Sequence, residues 1–104
     1  MNSLRELEPW LTPWAAALYR VAAPYGAVVT STRRTPQQQA RLYYNYVAGA
    51  SRYPAAPPGR SMHQQGRAFD LAAPTWLLAE LGRIWEEWGG RWGGRGGDPI
   101  HFEA

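Results

Sequence analysis

The apolar positions fall into six blocks with alternating periods. After Thr12-Pro13, which offers an N-cap and a first helical residue, Trp14, Leu18 and Val21 recur at helical spacing, and Pro24-Tyr25-Gly26 marks the end of that helix. Residues 27–31 are β-branched at Val28, Val29 and Thr30 and predict a short buried strand. Thr35-Pro36 repeats the cap chemistry ahead of a second helix, in which Gln39, Leu42, Tyr43, Tyr46 and Val47 share a face until Gly49 stops it. Residues 67–71 alternate, Ala68 and Asp70 on one side and Phe69 and Leu71 on the other, as a strand with one core face does. Pro74 opens a third helix with a wide stripe of Leu77, Leu81, Ile84, Trp85 and Trp88, closed by Gly89-Gly90. A glycine-rich stretch then leads to residues 100–103, a last strand with His101 and Glu103 facing away from Phe102. This order of helix and strand predicts an α+β fold, three helices packed on a small sheet.

Composition bounds the picture. A chain of 104 residues builds one hydrophobic core, so a single domain spanning 1–104 is expected. No stretch approaches the roughly 20 apolar residues of a membrane span, which argues against insertion. The start, MNSLRELEPW, has neither a basic n-region nor an apolar h-region, so no export signal is expected. With 0 Cys there is no disulfide framework and no thiolate metal site. The net charge is +3 and all 11 basic residues are Arg. They are scattered, and no nucleic-acid motif accompanies them, so the charge suits an anionic cell wall as well as it suits nucleic acid. A monomer that binds no nucleic acid is expected.

The chain holds 2 His. These and its two Asp lie in two short segments, SMHQQGRAFD (residues 61–70) and DPIHFE (98–103). A catalytic zinc takes three N or O protein ligands and leaves a fourth position for water, and His63, Asp70 and His101 supply that set. Asp70 and His101 sit on the strand faces opposite Phe69 and Phe102, and Gly66 permits a turn that brings His63 back toward Asp70. Asp98 is then placed to act as general base. Two His and one carboxylate also serve iron enzymes, so residue chemistry alone leaves the metal open.

These segments closely resemble the S-x-H-x-x-G-x-A-x-D and D-x-x-H-F-E signatures of the D-alanyl-D-alanine carboxypeptidase and L-alanyl-D-glutamate endopeptidase family, which includes VanY-like enzymes and phage endolysins. STRRTPQQQARLY (31–43) is similar to a further family segment, and Gly90-Arg91-Trp92 to its G-x-W approach to the last motif. The resemblance implies zinc on His63, Asp70 and His101, Asp98 as catalytic base, and Arg34 as substrate-binding and oxyanion-stabilising. It places Gln39 and Ser61 at accompanying, substrate-binding positions and gives Glu103 a supporting role behind the ligands. It also implies the mainly antiparallel sheet of the Hedgehog-related fold. Trp92, near the last motif, is expected at the cleft wall and in contact with substrate.

Together these readings predict a zinc-dependent peptidoglycan peptidase that acts on stem peptides. The first expectation is an endolysin-type L-alanyl-D-glutamate endopeptidase held in a host cytoplasm before release to the wall. The alternatives are a D-alanyl-D-alanine carboxypeptidase and a zinc-stabilised binding module without catalysis. Trp76, Trp85 and Trp88 are expected in the core. The loop 49–60, with three Pro and two Gly, is read as a surface connection, with a lid over the substrate as the other reading.

Overall fold

The computed structural model describes residues 3–104, so the first two residues of the expected 1–104 domain lie outside it. The regular elements are α1 (Thr12–Ala22), β1 (Val28–Ser31), α2 (Pro36–Val47), β2 (Ala68–Ala72), α3 (Thr75–Glu87), β3 (Arg91–Trp92) and β4 (His101–Glu103), joined by short 3-10 turns. The four strands form one sheet in the order β1-β2-β4-β3, and all three pairings are antiparallel. This is the expected α+β architecture, with β3 as a two-residue strand that no apolar pattern announces.

α1 with its N-cap Leu11, together with α3, supplies Leu11, Ala15, Leu18, Leu77, Leu81 and Trp85 to a core that covers one face of the sheet through Phe69, Leu71 and Phe102. Phe69 and Phe102 stack at 5.5 Å, and Trp85 stands edge-on to Phe69 at 5.3 Å. Because strand side chains alternate, the residues between these aromatics, Asp70 and His101, face the other side. Burying one face against helices therefore presents the other face to the site.

Several expectations about faces are corrected. In α1 the buried positions are Ala15, Leu18 and Ala22, while Trp14 and Val21 are exposed. Thr12 is not the N-cap: Leu11 holds that place, and the Thr12 hydroxyl donates backward toward the carbonyls of Leu4, Leu7 and Glu8. β1 is an edge strand with Val28 exposed, not a buried one. In α2 the cap is as expected, a Thr35–Gln38 capping box with Pro36 following, but its apolar face is not core. Leu42, Tyr46 and Val47 are exposed, and Gln39 is the helix's one buried residue. Of the three tryptophans expected inside, Trp85 is buried, while Trp76 packs edge-on against Tyr25 at the surface and Trp88 leans on Trp14. Among the described residues no helix is long and apolar enough to cross a membrane.

Candidate metal centre

The register of β2 and β4 builds most of the centre. Asp70 pairs directly with His101 across the two strands, flanked by the pairs Phe69–Phe102 and Ala68–Glu103. Opposed residues on an antiparallel pair have Cβ atoms about 5 Å apart, so two ligands on one face meet without a loop to aim them. His63 arrives from the 3-10 turn Met62–Gln65, which ends on Gly66 at φ 69°, a left-handed conformation that glycine adopts without strain. The Arg33 guanidinium lies where a Gly66 side chain would project, a second reason for glycine there.

Three donor atoms converge. Asp70 Oδ1 is 3.1 Å from His63 Nε2 and 3.3 Å from His101 Nδ1, and the three ligand atoms lie within 4.8 Å of one another. Two donors bound tetrahedrally at roughly 2.0–2.1 Å to one ion stand about 3.3 Å apart, so this spacing fits a small divalent metal. The remaining ring nitrogens are committed elsewhere. His63 Nδ1 donates to the Thr32 carbonyl at 2.7 Å, and His101 Nε2 donates to Glu103 Oε1 at 2.7 Å. A histidine whose far nitrogen carries the proton offers its near nitrogen as a lone pair, so the surroundings select the ligating tautomer of each ring.

Asp70 is shared between two tasks. Its Oδ1 faces the histidines, while Oδ2 accepts from Arg34 Nη2 at 3.1 Å. Burial acts to raise its pKa, but hydrogen bonds from His101 and His63 outweigh that and hold the carboxyl well below the usual range. Burial lowers the Arg34 pKa, opposed by the charges of Asp70 and Asp98. Arg34 also donates from Nε to Ser31 Oγ at 3.0 Å and from Nη1 to Gln39 Oε1 at 3.1 Å. A β-bulge between Val29 and Ser31 brings Ser31 opposite Asp70, within reach of the guanidinium. With five N–H donors and three of them used, Arg34 keeps one on each Nη for another acceptor.

Glu103 stands behind the candidate ligand His101, the supporting place that the motif resemblance implies. Its second oxygen takes Arg91 Nη2 at 2.8 Å, so a chain runs from His101 through Glu103 to the surface. Burial raises the Glu103 pKa, but His101 and Arg91 together bring it below its ordinary value. For His101 burial lowers the pKa and the bonds to Asp70 and Glu103 raise it, with a net upward shift.

Asp98, Arg34 and the three candidate ligands line one cleft of about 350 Å³. The Asp98 pKa is raised, first by burial and then by the negative charge of Asp70. Segment 51–56 forms the opposing wall, so the loop 49–60 borders the cleft. Of the remaining expected residues, Ser61 lines the cleft and its Oγ caps the His63 turn, accepting from the His63 N–H at 3.2 Å. Gln39 borders the cleft but is 1% exposed, its amide bonded to Arg34 and to the Ala56 carbonyl. Trp92 is corrected outright, since it does not line the cleft. Its indole lies on Gly82 of α3 and donates to the Pro99 carbonyl at 2.8 Å, because β3 is an edge strand whose side chain finds its apolar partner in that helix.

No protein-family profile and no curated protein sequence matches the chain. Solved structures do. The chain superposes on a vancomycin-resistance D,D-pentapeptidase, VanY of a VanB-type cassette solved with Zn(II), at a TM-score of 0.73 and 21% identity, covering 93% of this chain and 71% of that one. An L-Ala D-Glu endopeptidase of Serratia marcescens, ChiX, matches at 0.67 and 24%, covering 96% and 81%. The D,D-dipeptidase VanXYg, solved with a D-Ala-D-Ala phosphinate analogue, matches at 0.72 and 18%, and this chain spans about half of it, 49%. The chain thus has the fold of VanY-like peptidoglycan peptidases, the family its motifs resemble.

Proposed function

We propose that this protein is a zinc-dependent peptidoglycan peptidase that hydrolyses a stem-peptide bond. The observation that carries the reading is the trio of donors within 4.8 Å of one another beside a carboxylate, Asp98, that shares their cleft. His63 Nε2, Asp70 Oδ1 and His101 Nδ1 would hold the ion, which when bound supplies carbonyl polarisation and a more acidic water. Asp98, which shares the cleft with these donors, takes the proton of the attacking water and returns it to the leaving amine. Arg34 lines the same cleft and is the donor we assign to the developing oxyanion, a contribution on the order of 3 kcal/mol. Arg34 and Arg60 border the cleft and suit the carboxylates of a stem peptide.

The bond we assign is L-alanyl-D-glutamate. The motif resemblance and the fold shared with the Serratia endopeptidase over most of both chains support it. A second reading, removal of a terminal D-alanine, has equal structural support in the VanY and VanXYg folds, the former also solved with D-alanine-D-alanine. Digestion of purified muropeptides with the zinc-loaded protein, with products identified by mass, separates them. Cleavage after L-alanine supports the first and loss of one D-alanine the second, while an inert protein with zinc bound refutes both.

A further inference from the structure

The motif resemblance places Gln39 at a substrate-binding position, yet its side chain is buried and both ends of its amide are bonded within the protein. We propose instead that Gln39 is a positioning residue that ties the cleft wall, segment 49–60, to the metal ligand Asp70 through Arg34. Its side-chain amide joins two groups of fixed polarity. Arg34 Nη1 can only donate, and it meets Gln39 Oε1 at 3.1 Å. The Ala56 carbonyl can only accept, and it takes Gln39 Nε2 at 2.8 Å. The amide therefore has one permitted orientation and uses both ends. From Ala56 the line continues through Gln39 and Arg34 to Asp70 Oδ2, with Asp70 Oδ1 among the ligands.

The rest of the wall has few other anchors. The bonds it makes are local or at its ends: Gly49 N–H to the Tyr46 carbonyl, Ala50 and Ser51 N–H to the Asn45 carbonyl, Tyr53 N–H to Ser51 Oγ, Arg60 N–H to the Pro57 carbonyl and Gly59 N–H to Gln64 Oε1. Tyr53 itself is 70% exposed, and the segment is half-buried at Ala55, Ala56 and Pro57, around the residue that Gln39 holds. The Gln39 bond to Ala56 is thus the tie between the middle of the wall and the site. A wall held this way sets the width of the cleft where substrate lies, and its position is coupled to the guanidinium that pairs with the ligand carboxylate.

Two substitutions separate the ends of the strut. Gln39→Glu keeps an acceptor for Arg34 but sets a carboxylate oxygen against the Ala56 carbonyl. Gln39→Met keeps the length and removes both bonds. Limited trypsin cleavage after Arg52, in the exposed middle of the wall, should speed up in both by roughly five- to tenfold, the factor of one lost hydrogen bond, with cleavage after Arg83 of α3 unchanged as the check on folding. Zinc affinity, titrated with a chelating dye, should stay at the wild-type value in Gln39→Glu and fall about tenfold in Gln39→Met. Resting on the peptidase reading, the kinetic arm expects Gln39→Glu to raise KM about fivefold with kcat retained, the pattern of lost uniform binding. Unchanged cleavage after Arg52 in either variant overturns the strut, even if KM rises, because Gln39 would then act on substrate directly. Faster cleavage without a KM change overturns the link between wall and substrate. If the wild-type protein cleaves no muropeptide, the peptidase reading fails while the trypsin and zinc measurements still decide on the strut. If Gln39→Glu does not fold, Gln39→Met carries the test alone.

Discussion

Glu103 fixes which nitrogen of His101 is free to bind a metal, and removing it gives a measurable loss. The bond at issue is 2.7 Å from His101 Nε2 to Glu103 Oε1, with the glutamate side chain only 23% exposed. Loss of such a carboxylate partner of a ligating histidine typically costs 10–100-fold in metal affinity, which is about 1.4–2.8 kcal/mol. Glu103→Ala should therefore weaken zinc binding by that factor in a competition titration against a chromophoric chelator. Glu103→Gln keeps an oxygen that can accept from Nε2 and should recover much of the loss, which separates orientation from packing. The far end of the chain serves as a control. Arg91 is 59% exposed, so its pair with Glu103 is worth under about 1 kcal/mol, and Arg91→Ala should leave zinc affinity almost unchanged. Wild-type affinity in Glu103→Ala would refute the assignment of His101 Nδ1 as the ligand atom. A loss in Arg91→Ala as large as in Glu103→Ala would show that the surface charge, not the histidine bond, controls the site.

Other substitutions probe separate parts of the account. Asp98→Asn should retain zinc and lose roughly 10²- to 10⁴-fold in kcat, the range for a general base, and normal turnover would reassign the base. In the metal-free protein burial and the negative charge of Asp70 raise the Asp98 pKa. The same shift has a stability sign. A carboxyl with a folded pKa above its unfolded value loses stability as pH rises through that window, so at neutral pH metal-free Asp98→Asn should melt higher than metal-free wild type in calorimetry. Gly82→Ala gains helix propensity, yet its Cβ would lie within van der Waals overlap of the Trp92 ring carbons. Urea unfolding should show a net loss of about 1–3 kcal/mol, and a gain would contradict the packing described.

The site is legible in the sequence where chemistry is scarce and the register simple. The chain's few histidines and aspartates, with alternation around Phe69 and Phe102, are enough to bring Asp70 and His101 to one face and His63 beside them. Gly66 is legible through the turn it permits. The supports are harder to see. Thr32 holds His63 through its carbonyl, which any residue possesses, so no side chain marks it. Glu103 does carry a signal, since it lies two residues from His101 on the same strand face. Periodicity misleads in a helix that borders a cleft: Leu42, Tyr46 and Val47 repeat as core residues do, but nothing covers them in this fold. Trp92 misleads through its position in the chain. A two-residue edge strand turns its side chain toward whichever neighbour leaves room, here a glycine of α3.

The central claim, that His63, Asp70 and His101 form a hydrolytic metal centre, is tested most directly by co-titration. Metal-free protein receives zinc in small increments while bound zinc and muropeptide cleavage are measured on the same sample. The account expects cleavage to be absent at the start, to rise in proportion to bound zinc, and to level off at one ion per chain. Cleavage by the metal-free protein, or a fully zinc-loaded protein that leaves every muropeptide intact, would contradict it.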